Sequence, residues 1–82
     1  MDVNTVRQMI VSDISDAVVT VEGEDCSFTV TVVSGQFSGK TPVARQKMVM
    51  APFSSMLATG ELHALSVKTL TPDEQHAIAQ PQ

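Results

Sequence analysis

The residues of this 82-residue chain best suited to nucleophilic or metal chemistry are its one cysteine, Cys26, and its two histidines, His63 and His76. A thiol beside an imidazole has two main uses. One is a nucleophilic couple, in which the base lowers the thiol pKa. That couple needs an oxyanion site and a substrate cleft, and no motif in the sequence marks either. The other use is metal ligation, where closed zinc and iron–sulfur sites take four ligands. A second stretch with chemical promise is "SGQFSGKT", Ser34 to Thr41. A phosphate-cradling loop reads G-x-x-x-x-G-K-[ST]. Gly39, Lys40 and Thr41 supply its end, but its first glycine falls on Ser34, and Gly35 comes one place late.

Composition narrows these options. A domain of this length buries only roughly 60 % of its unfolded surface, so it has little room for a deep cleft. There is no tryptophan or tyrosine and there are three phenylalanines, so the core rests on Val, Ile, Leu and Met. The formal charge is −4, with five Lys and Arg spread along the chain. This opposes non-specific nucleic-acid binding, which works by neutralising phosphates. A lone cysteine excludes an internal disulfide and suits a reducing compartment. The first residues, "MDVNTVRQMIVSDISD", carry acids and no long apolar run, unlike a signal peptide. No stretch approaches the roughly 20 apolar residues of a membrane span. A cytoplasmic location is expected.

The elements that position these residues follow from periodicity. Val3, Val6, Ile10 and Ile14 recur at helical spacing, with Asp2 or Asn4 as cap. "AVVTVEG" and "SFTVTVV" read as two antiparallel strands, joined at "GEDC" by a turn that lacks the tight Asn-Gly signature. From Pro42 to Ala58 the spacing is helical again, with Val49, Phe53, Met56 and Leu57 as a stripe. Pro52 must kink or split this helix, because it removes the hydrogen bond to Met48. Gly60 stops it. "LHALSVKTL" is a third strand, and Thr71-Pro72 opens a last helix that ends in a frayed "AQPQ". The fold class is α+β, in the order αββαβα, as one domain over residues 1–82. A helical crossover from the second strand to the third makes that pair parallel. The sheet is three-stranded and mixed, with helices on one face. A P-loop enzyme needs a larger parallel sheet and a separate aspartate for magnesium, so the near-match is read as chance.

This topology gives the two reactive residues a common location. Parallel neighbours begin at the same edge of a sheet, about 4.8 Å apart. Cys26 lies just before strand two and His63 near the start of strand three, so both are expected at one rim. His63 is either a half-buried histidine bonded to a carbonyl, on a face with Leu65 and Val67, or a ligand. With two ligands there, a closed metal site within one chain is not expected, whereas a site completed by a partner is. His76 reads as a solvated surface residue. Arg45 either lays its stem along the apolar stripe or offers its cation to an anionic group.

The run "SFTVTVVSGQFSGKTPVARQKMV", followed by "LHALSVKTLTPDE", resembles the BolA-like proteins, in particular their short bacterial IbaG/YrbA branch. The markers are Phe28, the valines to Val33, Phe37-x-Gly39, Arg45, Val49, His63-Ala64-Leu65-Ser66, Lys68 and Thr71-Pro72. The resemblance implies a fold similar to a class II KH domain. It implies an adaptor in iron–sulfur assembly and trafficking, not an enzyme. The partner would be a monothiol glutaredoxin, with a [2Fe–2S] cluster shared at the interface. The glutaredoxin cysteine and glutathione would supply part of the coordination. His63 matches the family's histidine ligand. Cys26 matches the form whose second ligand is a cysteine two places before the phenylalanine. Arg45 and Lys40 are candidate interface residues. The isolated chain would hold no cluster and would be a monomer or weak homodimer.

The sequence departs from the family in places. Some members have histidine directly before the phenylalanine, where this chain has Ser27. Met50 stands where an aromatic is common, and Gln75 is near the place of a frequent tryptophan. The G-x-x-G loop of nucleic-acid-binding KH domains is missing from "FSGKTP". The alternative implied function is a nucleic-acid-binding transcriptional regulator of a stress or morphology response, which the acidic charge disfavours.

Overall fold

In the computed structural model, which describes residues 2–79, the first helix is α1, Val3–Asp13. Asp2 caps it, its carboxylate accepting the Thr5 amide at 2.8 Å. Strand β1, Val18–Glu24, pairs antiparallel with β2, Ser27–Val33. Helix α2, Pro42–Met50, follows, with Thr41 as cap and Pro42 in its first turn. A 3-10 turn at Ala51–Phe53 then separates it from α3, Ser54–Thr59. Pro52 sits in that turn, so the expected split occurs where the missing amide demands it. Strand β3, Ala64–Leu70, pairs parallel with β2, and α4 spans Pro72–Ala79. The strand order is β1-β2-β3. The part of "AQPQ" beyond Ala79 lies outside the described residues.

Register decides which side chains face the helices. Phe28 sits between Gly23 and Leu65, Val30 between Val21 and Val67, and Val32 between Val19 and Thr69. Phe28, Val30 and Val32 are buried and join Val6, Ile10, Ile14, Phe37, Val49, Phe53 and Leu62 in one core. All three phenylalanines are in it. Each such side chain contributes about 1.5–3 kcal/mol by leaving water. Thr20, Glu22, Thr29, Ser66 and Lys68, on the opposite face, are exposed or half-exposed polar residues. The helices therefore cover one face of the sheet.

Three expectations change. The third strand starts at Ala64, not Leu62. Gly60 ends α3 in the left-handed conformation (φ 86°), and the Leu62 amide then bonds to the Met56 carbonyl at 3.1 Å. This tight exit turns Leu62 into the core, where it is fully buried. His63 does not share a face with Leu65 and Val67; it precedes the strand and is exposed. The turn between β1 and β2 is also tighter than its composition suggests. Glu24 pairs with Ser27, which leaves only Asp25 and Cys26 between the strands.

The glycine-bearing loop is bound to the protein itself. Ser34 is buried; its hydroxyl donates to Asp16 Oδ1 at 2.5 Å and accepts the Gln36 amide at 3.0 Å. The Gly35 amide donates to Asp16 Oδ2 at 3.0 Å, and Gln36 Nε2 donates to Asp16 Oδ1 at 3.1 Å. The loop's amides are thus taken internally: Gly35's by Asp16, Gln36's by the Ser34 hydroxyl, and those of Phe37, Ser38 and Lys40 by backbone carbonyls. These bonds, the Ser34 hydroxyl's first, hold the Asp16 carboxyl below its usual range.

A second carboxylate ties α2 to α4. Arg45 donates from Nη1 and Nη2 to Glu74 at 2.7 and 3.3 Å, and from Nε to the Lys40 carbonyl at 3.0 Å. Glu74 also accepts the Thr71 amide at 3.0 Å while Thr71 Oγ1 accepts the Glu74 amide at 3.2 Å, a reciprocal cap. The Arg45 hydrogen bond, then that of Thr71, holds the Glu74 carboxyl low.

Two outcomes are expected. Leu62→Ala should lower unfolding stability by about 2–5 kcal/mol in urea titration, as a large-to-small core change does. A strand-face role for Leu62 would leave the titration nearly unmoved. Depressed carboxyls contribute stability above their unfolded pKa and lose it as pH falls through the folded one. The melting temperature should therefore drop below about pH 4, the ordinary carboxyl range. An Asp16→Asn/Glu74→Gln variant should start lower at pH 7 and drop less; equal drops would refute this assignment.

Candidate functional site

The site is built at the tip of the β1–β2 hairpin. A two-residue turn of type I′ needs positive φ at both central residues, which Asn-Gly supplies cheaply. Here Asp25 and Cys26 adopt φ of 53° and 68°. Aspartate tolerates this region better than most residues, and cysteine has no such ease, so the Cys26 conformation costs about 1–2 kcal/mol. Such strain persists where surrounding bonds fix it. Gly23 adds a third positive φ, of 129°. A Cβ there would lie 2.2 Å from the Ser27 carbonyl oxygen and 2.8 Å from Phe28 Cα, so the tip is closed against its own strand.

The carbonyl of Cys26 provides the fixing bonds. It accepts the His63 amide at 2.8 Å and the Ala64 amide at 3.3 Å. One step further, Ser27 and Ala64 are register partners at the start of the β2–β3 ladder. Cys26 and His63 therefore face each other at one rim, as the parallel topology requires. Cys26 is a free, half-buried thiol and His63 is exposed. Among the described residues there is no pocket, and no group of three His, Cys, Asp or Glu is placed to hold a metal.

Charge is also unevenly distributed. Glu22, Glu24, Asp25 and Glu61 stand exposed around this rim, with no lysine or arginine between residues 22–27 or 59–64. The other five acidic residues are matched in number by the five lysines and arginines, so the chain's −4 is concentrated here.

The remaining sequence candidates are elsewhere. His76 is exposed on α4, which leaves from the far end of β3. Arg45 is bound to Glu74 just past that same far end, with its side chain only 13 % exposed, and it is engaged internally. Lys40 is exposed in the loop before α2, and its carbonyl supports Arg45. The structure brings together Cys26 and His63 and does not bring Arg45, Lys40 or His76 to their rim. Sequence reasoning missed Gly23 and Asp25 as parts of the site. Only the short spacing between the two β-branched runs could have signalled them.

A family model for the BolA-like proteins matches residues 5–74. The chain belongs to the BolA-like family. Among BolA-like relatives, the acid stress protein IbaG of Escherichia coli is 31 % identical over 74 residues, covering 90 % of this chain and 88 % of that one. The DNA-binding transcriptional regulator BolA of Vibrio cholerae is 40 % identical over 58 residues, covering 71 % and 54 %. Among solved structures, a BolA homologue from Coxiella burnetii superposes with a TM-score of 0.79 at 31 % identity, covering 93 % of this chain and 97 % of that one. The mixed three-stranded BolA fold is thus the frame that holds the Cys26–His63 rim.

The closed tip gives a prediction for this BolA-like chain. Gly23→Ala should cost more than about 1 kcal/mol, since alanine at positive φ is strained even without a clash. In nuclear magnetic resonance spectra, the amide shifts that move most should lie within residues 22–28 and 61–65. Unchanged stability and tip shifts would refute the steric reading.

Proposed function

We propose that this BolA-like chain is an iron–sulfur trafficking adaptor, not an enzyme. It pairs with a monothiol glutaredoxin in the cytoplasm and contributes Cys26 and His63 to a [2Fe–2S] cargo held across the interface. One observation carries this reading: the 2.8 Å bond from the His63 amide to the Cys26 carbonyl, which fixes a thiol-bearing and an imidazole-bearing residue side by side at an accessible edge. The donor set fits half a cluster. Thiolate and imidazole are both established iron–sulfur ligands. With no third donor grouped beside them among the described residues, the glutaredoxin cysteine and glutathione complete the set. The cluster supplies iron and sulfide for delivery. The protein supplies two ligands on a hydrogen-bonded edge, and the described residues form no pocket, which suits docking better than turnover.

The alternative is nucleic-acid binding, favoured by the Vibrio cholerae relative's description as a DNA-binding regulator. The acidic rim and the overall charge of −4 oppose it, because phosphate contacts require clustered lysine and arginine. Arg45, the least exposed of the candidate cations, is already paired with Glu74.

The test is co-expression with the host's monothiol glutaredoxin. A coloured complex is expected, with visible absorption and circular dichroism of a bound cluster. Imidazole ligation raises the potential of such clusters relative to thiolate ligation alone. His63→Ala should therefore alter the spectrum and shift the reduction potential, while the free chain stays folded. Cys26→Ser should reduce cluster occupancy. A folded, loaded His63→Ala complex with the parent's spectrum and potential would remove His63 from the ligand set.

A further inference from the structure

The rim depends on a residue that carries neither ligand atom. Between the paired residues Glu24 and Ser27 the chain has only Asp25 and Cys26 with which to reverse direction. Both must take positive φ to do so, and both do. A type I′ turn uses the carbonyl and amide of the flanking pair for the hairpin's own ladder. The carbonyl of its second central residue is left free, and here that carbonyl receives His63 and Ala64. The conformation at position 25 therefore decides where the Cys26 carbonyl points, and that carbonyl holds the His63 backbone.

We propose that Asp25 is a positioning residue for the Cys26–His63 pair, acting through its left-handed backbone and not through its charge. It rests on the reading of Cys26 and His63 as a ligand pair, and it adds what sets their spacing. Aspartate, asparagine and glycine all enter the left-handed region; β-branched residues do not. A residue at position 25 that favours extended backbone would open the turn, re-aim the Cys26 carbonyl and free the His63 amide. The rest of the sheet, whose core lies beyond Phe28, would remain paired. Gly23 serves the same closure from β1, since the backbone of Ser27 and Phe28 at the start of β2 lies where its Cβ would be.

The experiment compares Asp25→Asn, Asp25→Gly, Asp25→Ala and Asp25→Val in the free chain by amide hydrogen exchange. In Asp25→Val, exchange at His63 and Ala64 should accelerate at least tenfold, while Val30, Val67 and the α1 amides stay within about twofold of the parent. Asp25→Ala, a milder change, should move the same two amides in the same direction and serves if the valine variant does not fold. Asp25→Asn and Asp25→Gly should match the parent. In the glutaredoxin complex, Asp25→Val should also shift the reduction potential towards that of His63→Ala, whereas Asp25→Asn should not. Unchanged His63 exchange in the valine and alanine variants overturns the proposal. So does acceleration spread evenly over the sheet, which is general destabilisation, or an asparagine variant that behaves like valine, which makes the charge responsible. The exchange arm needs no partner. If the free chain behaves as expected and no complex forms, the adaptor reading falls and the positioning role of Asp25 stands.

Discussion

The Cys26 carbonyl accepts two amides, from His63 at 2.8 Å and Ala64 at 3.3 Å, and through them the end of one long connection is joined to the tip of a short hairpin. Strand β2 and then the loops and helices of the crossover separate these points in sequence, as a parallel connection requires. The bond is available only because the hairpin closes in two residues and leaves that carbonyl unused. It also starts the β2–β3 ladder, since the next register pair is Ser27 and Ala64. The same contact therefore begins the parallel half of the sheet and sets the two chemically able side chains at one edge.

The remainder of the fold supports this edge from the other end. Asp16 ties the start of β1 to the loop after β2, and the Ser34 amide donates to the Leu70 carbonyl at 3.0 Å where β3 finishes. Arg45 and Glu74 lock α2 to the start of α4 near the same place. These polar ties lie away from the rim, which keeps its carboxylates exposed and unmatched. Separating the structural ion pair from the exposed edge leaves the net charge of the chain at the Cys26–His63 rim. Charge of this kind governs the rate and selectivity of encounter more than the final affinity.

Much of the fold was legible in the sequence. The period of Val3, Val6, Ile10 and Ile14, the alternation of "SFTVTVV" and the chain-breaking character of Pro52 each state a local physical requirement that nothing else in the structure overrides. Parallel pairing followed from the order of elements, and with it the common rim of Cys26 and His63. Other parts could not be read locally. Leu62 looks like a strand residue by alternation, yet the left-handed exit at Gly60 turns it into the core before the strand begins. "GEDC" has no Asn-Gly pair, and the Glu24–Ser27 pairing together with the tertiary bonds from His63 and Ala64 holds Cys26 in a conformation that cysteine does not favour. The capture of the Ser34–Gln36 loop by Asp16 joins residues with no shared periodicity. The reciprocal cap of Thr71 and Glu74 was present as a four-residue pattern, but the attachment of Arg45 to it depends on how α2 lies across the end of the sheet.

The account stands on His63 as a ligand supplied by this chain to a cluster shared with a glutaredoxin. The most direct measurement is pulsed electron paramagnetic resonance of the reduced complex in which only this chain carries nitrogen-15-labelled histidine. The account predicts one strongly coupled imidazole nitrogen from the labelled chain, which disappears in His63→Ala while His76→Ala leaves it in place. A cluster with no histidine coupling from this chain, or a coupling that survives His63→Ala, would contradict it.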